Sequence, residues 1–86
     1  MRTVYKYTLS PHARVLSMPL GAKILHVGAQ REEVCVWAEV DPSLVAEARS
    51  FMAYATGSPM PDNPGEYIGT VMLANGDLVF HIYERV

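Results

Sequence analysis

The chain of 86 residues has a single cysteine, Cys35, no run of lysines and arginines, and no apolar stretch long enough to cross a bilayer. Each absence removes a class of protein. One cysteine forms no internal disulfide, so a disulfide-stapled scaffold is excluded. Nucleic-acid binders draw much of their affinity from clustered cations that neutralise phosphates. Seven Lys and Arg set against nine Asp and Glu leave a formal charge of −2, so neither DNA nor RNA is an expected partner. A membrane helix needs about 20 consecutive apolar residues, and none is present, so no membrane role is expected. The opening MRTVYKY lacks the apolar segment of a signal peptide, which makes an intracellular location the expectation.

Chemistry-bearing motifs are equally scarce. His12, His26, Cys35 and His81 show none of the close paired spacings of zinc modules. Nucleophilic catalysis needs a nucleophile beside an oriented base. Thr70 with His81 and Cys35 with His26 are conceivable neighbours, but neither pair stands in a supporting motif. TGSP is too short for a phosphate loop and lacks its lysine. No enzyme, metal or cofactor is therefore expected.

What the chain does contain is β-forming sequence. Half of its residues are hydrophobic and 19% are charged, the balance of an ordered domain, and its length allows one core, hence a single domain over residues 1–86. Thr3 to Leu9 alternates as a half-exposed strand does, and Arg14 to Met18 reads as a short extended piece between the breaks SPHA and MPLGA. KILHVGAQREEVCVWAEV reads as a hairpin about Arg31-Glu32. EYIGTVMLANGDLVFHIYER reads as a second hairpin, because Asn75-Gly76 is the favoured pair for a type I′ turn. Between them, RSFMAYAT reads as a strand, while Asp41 or Ser43 could cap a short helix over residues 43–48. The expected fold is mainly β, or α+β if that helix forms: a small antiparallel sheet, sandwich or partly open barrel of about six to seven strands.

Counting outward from the two turns assigns the faces. From Asn75-Gly76, Leu73 faces Leu78, Val71 faces Phe80 and Gly69 faces Ile82 on a core side, while Met72 faces Val79, Thr70 faces His81 and Ile68 faces Tyr83 on the other. From Arg31-Glu32, Ala29, Val27 and Leu25 face Val34, Val36 and Ala38. The reverse side pairs His26 with Trp37, Gly28 with Cys35 and Ile24 with Glu39. A solvated sheet face is usually charged or small and polar, whereas His26, Cys35, Trp37, Met72, His81 and Tyr83 have apolar bodies with single polar atoms. Two readings follow. Either the helical turn, the N-terminal strand or a second subunit covers this mixed face, or part of it contacts a ligand or partner.

Beside it lies TGSPMPDNPGEY, with three of the six prolines and two of the six glycines. Pro59, Pro61 and Pro64 fix φ and reduce the entropy lost when a loop is held in one shape. The segment suits a preorganised contact loop with Met60 at its tip, and equally a rigid crossover between strands. The candidate contact residues are Thr56, Gly57, Ser58, Pro59, Met60 and Tyr67 from this segment, with His26, Trp37 and His81 from the mixed face. Arg49 is added because its fork could hold a carboxylate or phosphate; the structural alternative is an ion pair with Glu47, Asp62 or Glu66.

The segments MPLGAKILHVGAQ, VWAEVDP, ATGSPMP, YIGTV and LVFHIYE, in that order and spacing, resemble a family of short phage and prophage proteins of unassigned function. The resemblance runs from Met18 to Glu84. Members often read Gly-His-Pro where this chain has Gly57-Ser58-Pro59, and tryptophan in place of Phe80, so this loop lacks a histidine that theirs carries. The resemblance implies a small accessory protein in the cytoplasm of an infected bacterium, of a kind that is often a non-enzymatic modulator of a host defence protein. The alternatives are an oligomeric binder of a small nucleotide signal, with Trp37 or Tyr67 stacking on the base and Arg49 on phosphate, and a virion or assembly component. Small domains without metal or disulfides often gain stability by self-association, so a homodimer is expected.

Overall fold

The computed structural model describes residues 1–10 and 14–85. His12 and most of the expected SPHA turn lie outside them. Among the described residues seven strands are formed: β1 (Thr3–Leu9), β2 (Val15–Pro19), β3 (Lys23–Gln30), β4 (Glu33–Val40), β5 (Ala46–Ala55), β6 (Glu66–Leu73) and β7 (Leu78–Arg85). They build a three-stranded sheet in the order β1-β4-β3 and a four-stranded sheet in the order β2-β5-β7-β6, antiparallel throughout. The mainly β expectation holds, as two facing sheets that do not close into a barrel.

The alternation in sequence builds the core directly. Val27, Val34, Val36, Ala38 and Val40 of one sheet meet Met18, Phe51, Val71 and Ile82 of the other, all buried, with Tyr7, Leu9, Leu16, Ile24, Ile68, Leu73 and Phe80 packed around them. Burial raises the pKa of the Tyr7 hydroxyl, helped by Tyr5 on the same face. The two sheets approach most closely where β3 runs beside β6. There a Cβ on Gly69 would sit 3.2 Å from the Val27 Cβ, so a glycine at this position lets the backbones come together. Elsewhere the smaller sheet leaves part of the larger one uncovered, opening an apolar cleft of about 340 Å³ lined chiefly by Leu9, Val34, Phe51, Leu73, Leu78 and Phe80.

Both hairpins keep the register counted from their turns, up to one bulge each. Gln30 faces Glu33 and the ladder runs to His26 opposite Trp37. Beyond that, an extra residue, Leu25, sits unpaired between Ile24 and His26, so Ile24, not Leu25, faces Ala38, and Lys23 faces Glu39. The pairings Leu25–Ala38 and Ile24–Glu39 are corrected accordingly: Ile24 enters the core and Leu25 is 47% exposed. In the second hairpin Leu73 to Gly69 pair with Leu78 to Ile82 as counted, but Tyr67 and not Ile68 faces Tyr83. A bulge adds one residue and bends its strand. Both bulges fall in β3 and β6, the strands at which the sheets meet.

The alternative of a helix over residues 43–48 is not realised. The Asp41 carboxylate accepts hydrogen bonds from the Ser43 amide at 3.0 Å and the Ser43 hydroxyl at 2.7 Å, while the Leu44 amide donates to the Asp41 carbonyl. An aspartate that binds the backbone two residues ahead closes a turn in place of starting a helix. The Ser43 contacts also lower the Asp41 pKa, and β5 begins at Ala46.

Candidate functional site

Strand pairing places Met52, Tyr54, Thr70, Met72, His81 and Tyr83 on the outward face of the four-stranded sheet. Tyr67 joins them only because of the bulge at Ile68. In an unbroken strand, residues three apart point to opposite faces. With one extra residue between them, Tyr67 and Thr70 share a face, and their hydroxyl oxygens lie 2.6 Å apart.

From there a hydrogen-bonded row crosses the sheet. The Thr70 hydroxyl is 3.0 Å from His81 Nδ1, and His81 Nε2 is 2.8 Å from the Thr56 hydroxyl. Four side chains from β6, β7 and the start of the β5–β6 loop are thereby tied in line. The rings beside the row are fixed by edge-to-face contacts, Tyr67 with Tyr83 at 5.4 Å and Tyr54 with Tyr83 at 5.8 Å between centroids. Each such pair contributes about 0.5–1.5 kcal/mol beyond area burial. Tyr67 and Met72 are 54% and 63% exposed. The face is thus aromatic, polar at single atoms and internally braced.

The loop begins on this face. β5 and β6 both pair antiparallel with β7 and hence run parallel, so residues 56–65 must carry the chain back along β7. The Thr56 amide donates to the Val79 carbonyl at one end. At the other, Gly65 packs against the Glu84 backbone so tightly that a Cβ there would lie 2.2 Å from the Glu84 oxygen, at a φ of +101°. A turn closed by the Ser58 amide on the Ala55 carbonyl follows Thr56, with Gly57 at a φ of +89°. Pro59 and Pro61 are exposed, as is Met60 at 42%.

The other predicted residues do not gather here. His26 and Trp37 meet, 5.8 Å between centroids, but on the outward face of the three-stranded sheet, on the far side of the core. The mixed surface read from the two hairpins is therefore two surfaces pointing apart. Cys35, counted onto that exposed side, is buried, its thiol 4.0 Å from the Thr8 hydroxyl. Arg49 points to the core side near Ala22. Its guanidinium donates to both Glu84 oxygens at 2.6 and 2.8 Å, and to the Ala22 carbonyl. This ion pair has Glu84 in place of the expected Glu47, Asp62 or Glu66, and the Glu84 contact raises the pKa of Arg49 against the opposing effect of burial. The fork assigned to phosphate is already engaged.

Sequence reasoning paired Thr70 with His81 but did not include Thr70 in the site. Its signal was its place opposite a histidine on a face that also held tyrosine. Among the described residues, no group of three or more His, Cys, Asp or Glu could hold a metal ion, and no helix is long and apolar enough to cross a membrane.

The family model described as Domain of unknown function (DUF7352) covers residues 1–86. No curated protein and no solved structure matches.

Proposed function

The chain belongs to the DUF7352 family, and from that premise we propose that it is a non-enzymatic binding protein whose contact surface is the outward face of the four-stranded sheet. The observation that carries the reading is the row Tyr67–Thr70–His81–Thr56, which holds an exposed aromatic patch in one arrangement before anything binds. Side chains already fixed lose little entropy on association. Tyrosine and methionine are also enriched where proteins meet, since they give large contact area with few polar groups to desolvate. Tyr67, Met72 and, on the adjoining loop, Met60 supply that area.

The resemblance to short phage and prophage proteins supports a bacterial host protein as the partner, and modulation of a defence protein as the role. A stoichiometric binder of this kind acts in the host cytoplasm by occupying a surface, and it needs no reacting group. The engagement of Arg49 by Glu84 favours this reading over a nucleotide binder.

The test compares the two outward faces. Wild type, Tyr67→Asp and Met72→Asp, together with Trp37→Ala on the opposite sheet, serve as bait in a lysate of the host bacterium, each first checked by its melting curve. Capture by wild type and Trp37→Ala, lost in Tyr67→Asp and Met72→Asp, is the expected pattern. Equal recovery by all four removes the face from consideration.

A further inference from the structure

Strand β1 is hydrogen-bonded on one side alone. It pairs with β4, and among the described residues no strand lies on its other side. An edge strand offers a row of free amide and carbonyl groups, which proteins usually shield with prolines, bulges, short length or several charges. β1 has seven residues, TVYKYTL, with no proline, no bulge in its pairing with β4 and one charge. Its opposite number at the other free edge, β2, has five residues and ends in Pro19. Tyr5 sharpens the contrast. It lies on the core-facing side of the sheet, opposite Ala38, yet is 42% exposed.

We propose that β1 is a self-association edge, pairing antiparallel with β1 of a second copy about a two-fold axis at Tyr5. The choice of occupant rests on charge. In this register Lys6 lies opposite Val4 of the second copy, and Val4 is itself paired with Glu39. Strands are spaced about 4.8 Å apart, so the Lys6 ammonium reaches over Val4 of the second copy to that copy's Glu39 carboxylate, and the two-fold axis repeats the contact. Sliding two residues one way sets Lys6 against Lys6, and two residues the other way sets Lys6 against Arg2. Like charges directly opposite destabilise a strand pair. On the core-facing side the same register brings the two Tyr5 rings together, flanked by Thr3 opposite Tyr7. In the single chain Lys6 donates to Gln30 at 2.6 Å and Glu39 accepts from Arg2 at 2.6 Å. Gln30 lies beyond β4, on the side of β1 away from the free edge, so Lys6 gives up that hydrogen bond to reach the second copy, whereas the Glu39 carboxylate, with four acceptor sites, keeps Arg2 while it accepts from Lys6.

The experiment measures mass by light scattering across a micromolar concentration series. Wild type is expected to approach twice the 9.5 kDa chain mass at the upper end. Lys6→Glu alone sets carboxylate against carboxylate across the edge, and Glu39→Lys alone sets ammonium against ammonium, so each is expected to stay a monomer. Mixed one to one, the two variants regain both opposite-charge contacts and are expected to dimerise. Asp62→Lys alters net charge as much as Glu39→Lys does, on an exposed loop, and is expected to dimerise as wild type does. A wild type that remains monomeric overturns the proposal. So does a Lys6→Glu variant that still dimerises, or a mixture that does not. Melting curves confirm that each single variant is folded, so a monomer reading reports the edge and not unfolding. None of these readouts involves the Tyr67 face, so failure here leaves the proposed contact surface standing.

Discussion

The hairpins β3–β4 and β6–β7 are built to one plan and finished differently. Each turns back through left-handed residues, the pair Arg31-Glu32 in the first and, in the second, residues within a four-residue loop, 74–77, closed by the Asp77 amide on the Ala74 carbonyl. Each keeps a regular ladder for several pairs from there, and each then takes one bulge in its first strand. The turns differ in chemistry. In the second, Asn75 at φ +56° and Gly76 at φ +93° accept the left-handed region at little cost, with Ala74 beside them at +51°, whereas in the first both turn residues, Arg31 and Glu32, occupy it at +54° and +61° with long side chains. The outward faces differ as well. On β6–β7 the bulge turns Tyr67 outward and completes a hydrogen-bonded row. On β3–β4 it sends Ile24 inward, and the exposed side keeps a ring contact between His26 and Trp37. The same device therefore serves contact in one hairpin and core in the other. What decides is the residue just beyond the extra one: Ile24 before Leu25, Tyr67 before Ile68.

The largest expected effect separates the hairpins at their entry. Gly65→Ala forces a Cβ onto the Glu84 carbonyl at a positive φ, and is expected to lower stability by about 3 kcal/mol in urea unfolding. A result near zero would mean that the entry into β6 is not fixed as described. Next, Thr70→Val removes the hydroxyl that serves both Tyr67 and His81, with an expected loss of about 1–2 kcal/mol. His26→Phe on the other hairpin, which keeps the stacking body, is expected to be neutral within about 0.5 kcal/mol. Equal losses at the two sites would erase the distinction between a bonded face and a merely packed one.

The turns offer a change of opposite sign. Arg31→Gly relieves a left-handed arginine and is expected to stabilise by about 0.5–1 kcal/mol, whereas Gly76→Ala is expected to destabilise by a similar amount. Smallest is a pH effect outside both hairpins. The Asp41 carboxylate has a lowered folded pKa because it accepts from Ser43. A group whose folded pKa is depressed stabilises above its unfolded value and loses that contribution as pH falls through the folded one. Melting curves of wild type and Asp41→Asn should therefore differ near neutral pH and converge in acid.

The turns and the alternation beside them were legible from sequence, because short-range chemistry sets them: Asn75-Gly76 fixes Leu73 opposite Leu78, and the period of two does the rest. Leu25 and Ile68 were not legible as bulges. Nothing local distinguishes them from neighbouring β-formers, and where a strand bends depends on how β3 and β6 meet at Val27 and Gly69, residues far apart in the chain. The partition of the hairpins into two sheets is likewise long-range, which is why His26 with Trp37 and His81 with Tyr83 were read as one surface. Residues 43–48 show a local competition instead. Ala46, Glu47 and Ala48 favour helix, but the Asp41 side chain captures the Ser43 amide first, and pairing with β2 takes Ala46 to Ser50 as strand. Of the site, Thr70 opposite His81 followed from counting, while the Thr56 contact required knowing where the loop starts relative to β7.

One contact joins the two hairpins at their tips. The Glu32 carboxylate accepts a hydrogen bond from the Ala74 amide at 2.8 Å, so the strained turn of one hairpin holds down the loop of the other. Amide proton exchange at Ala74 then reports on events at residue 32. Shortening that carboxylate arm, as in Glu32→Asp, should speed exchange at position 74 while amides in the middle of β7 keep their protection.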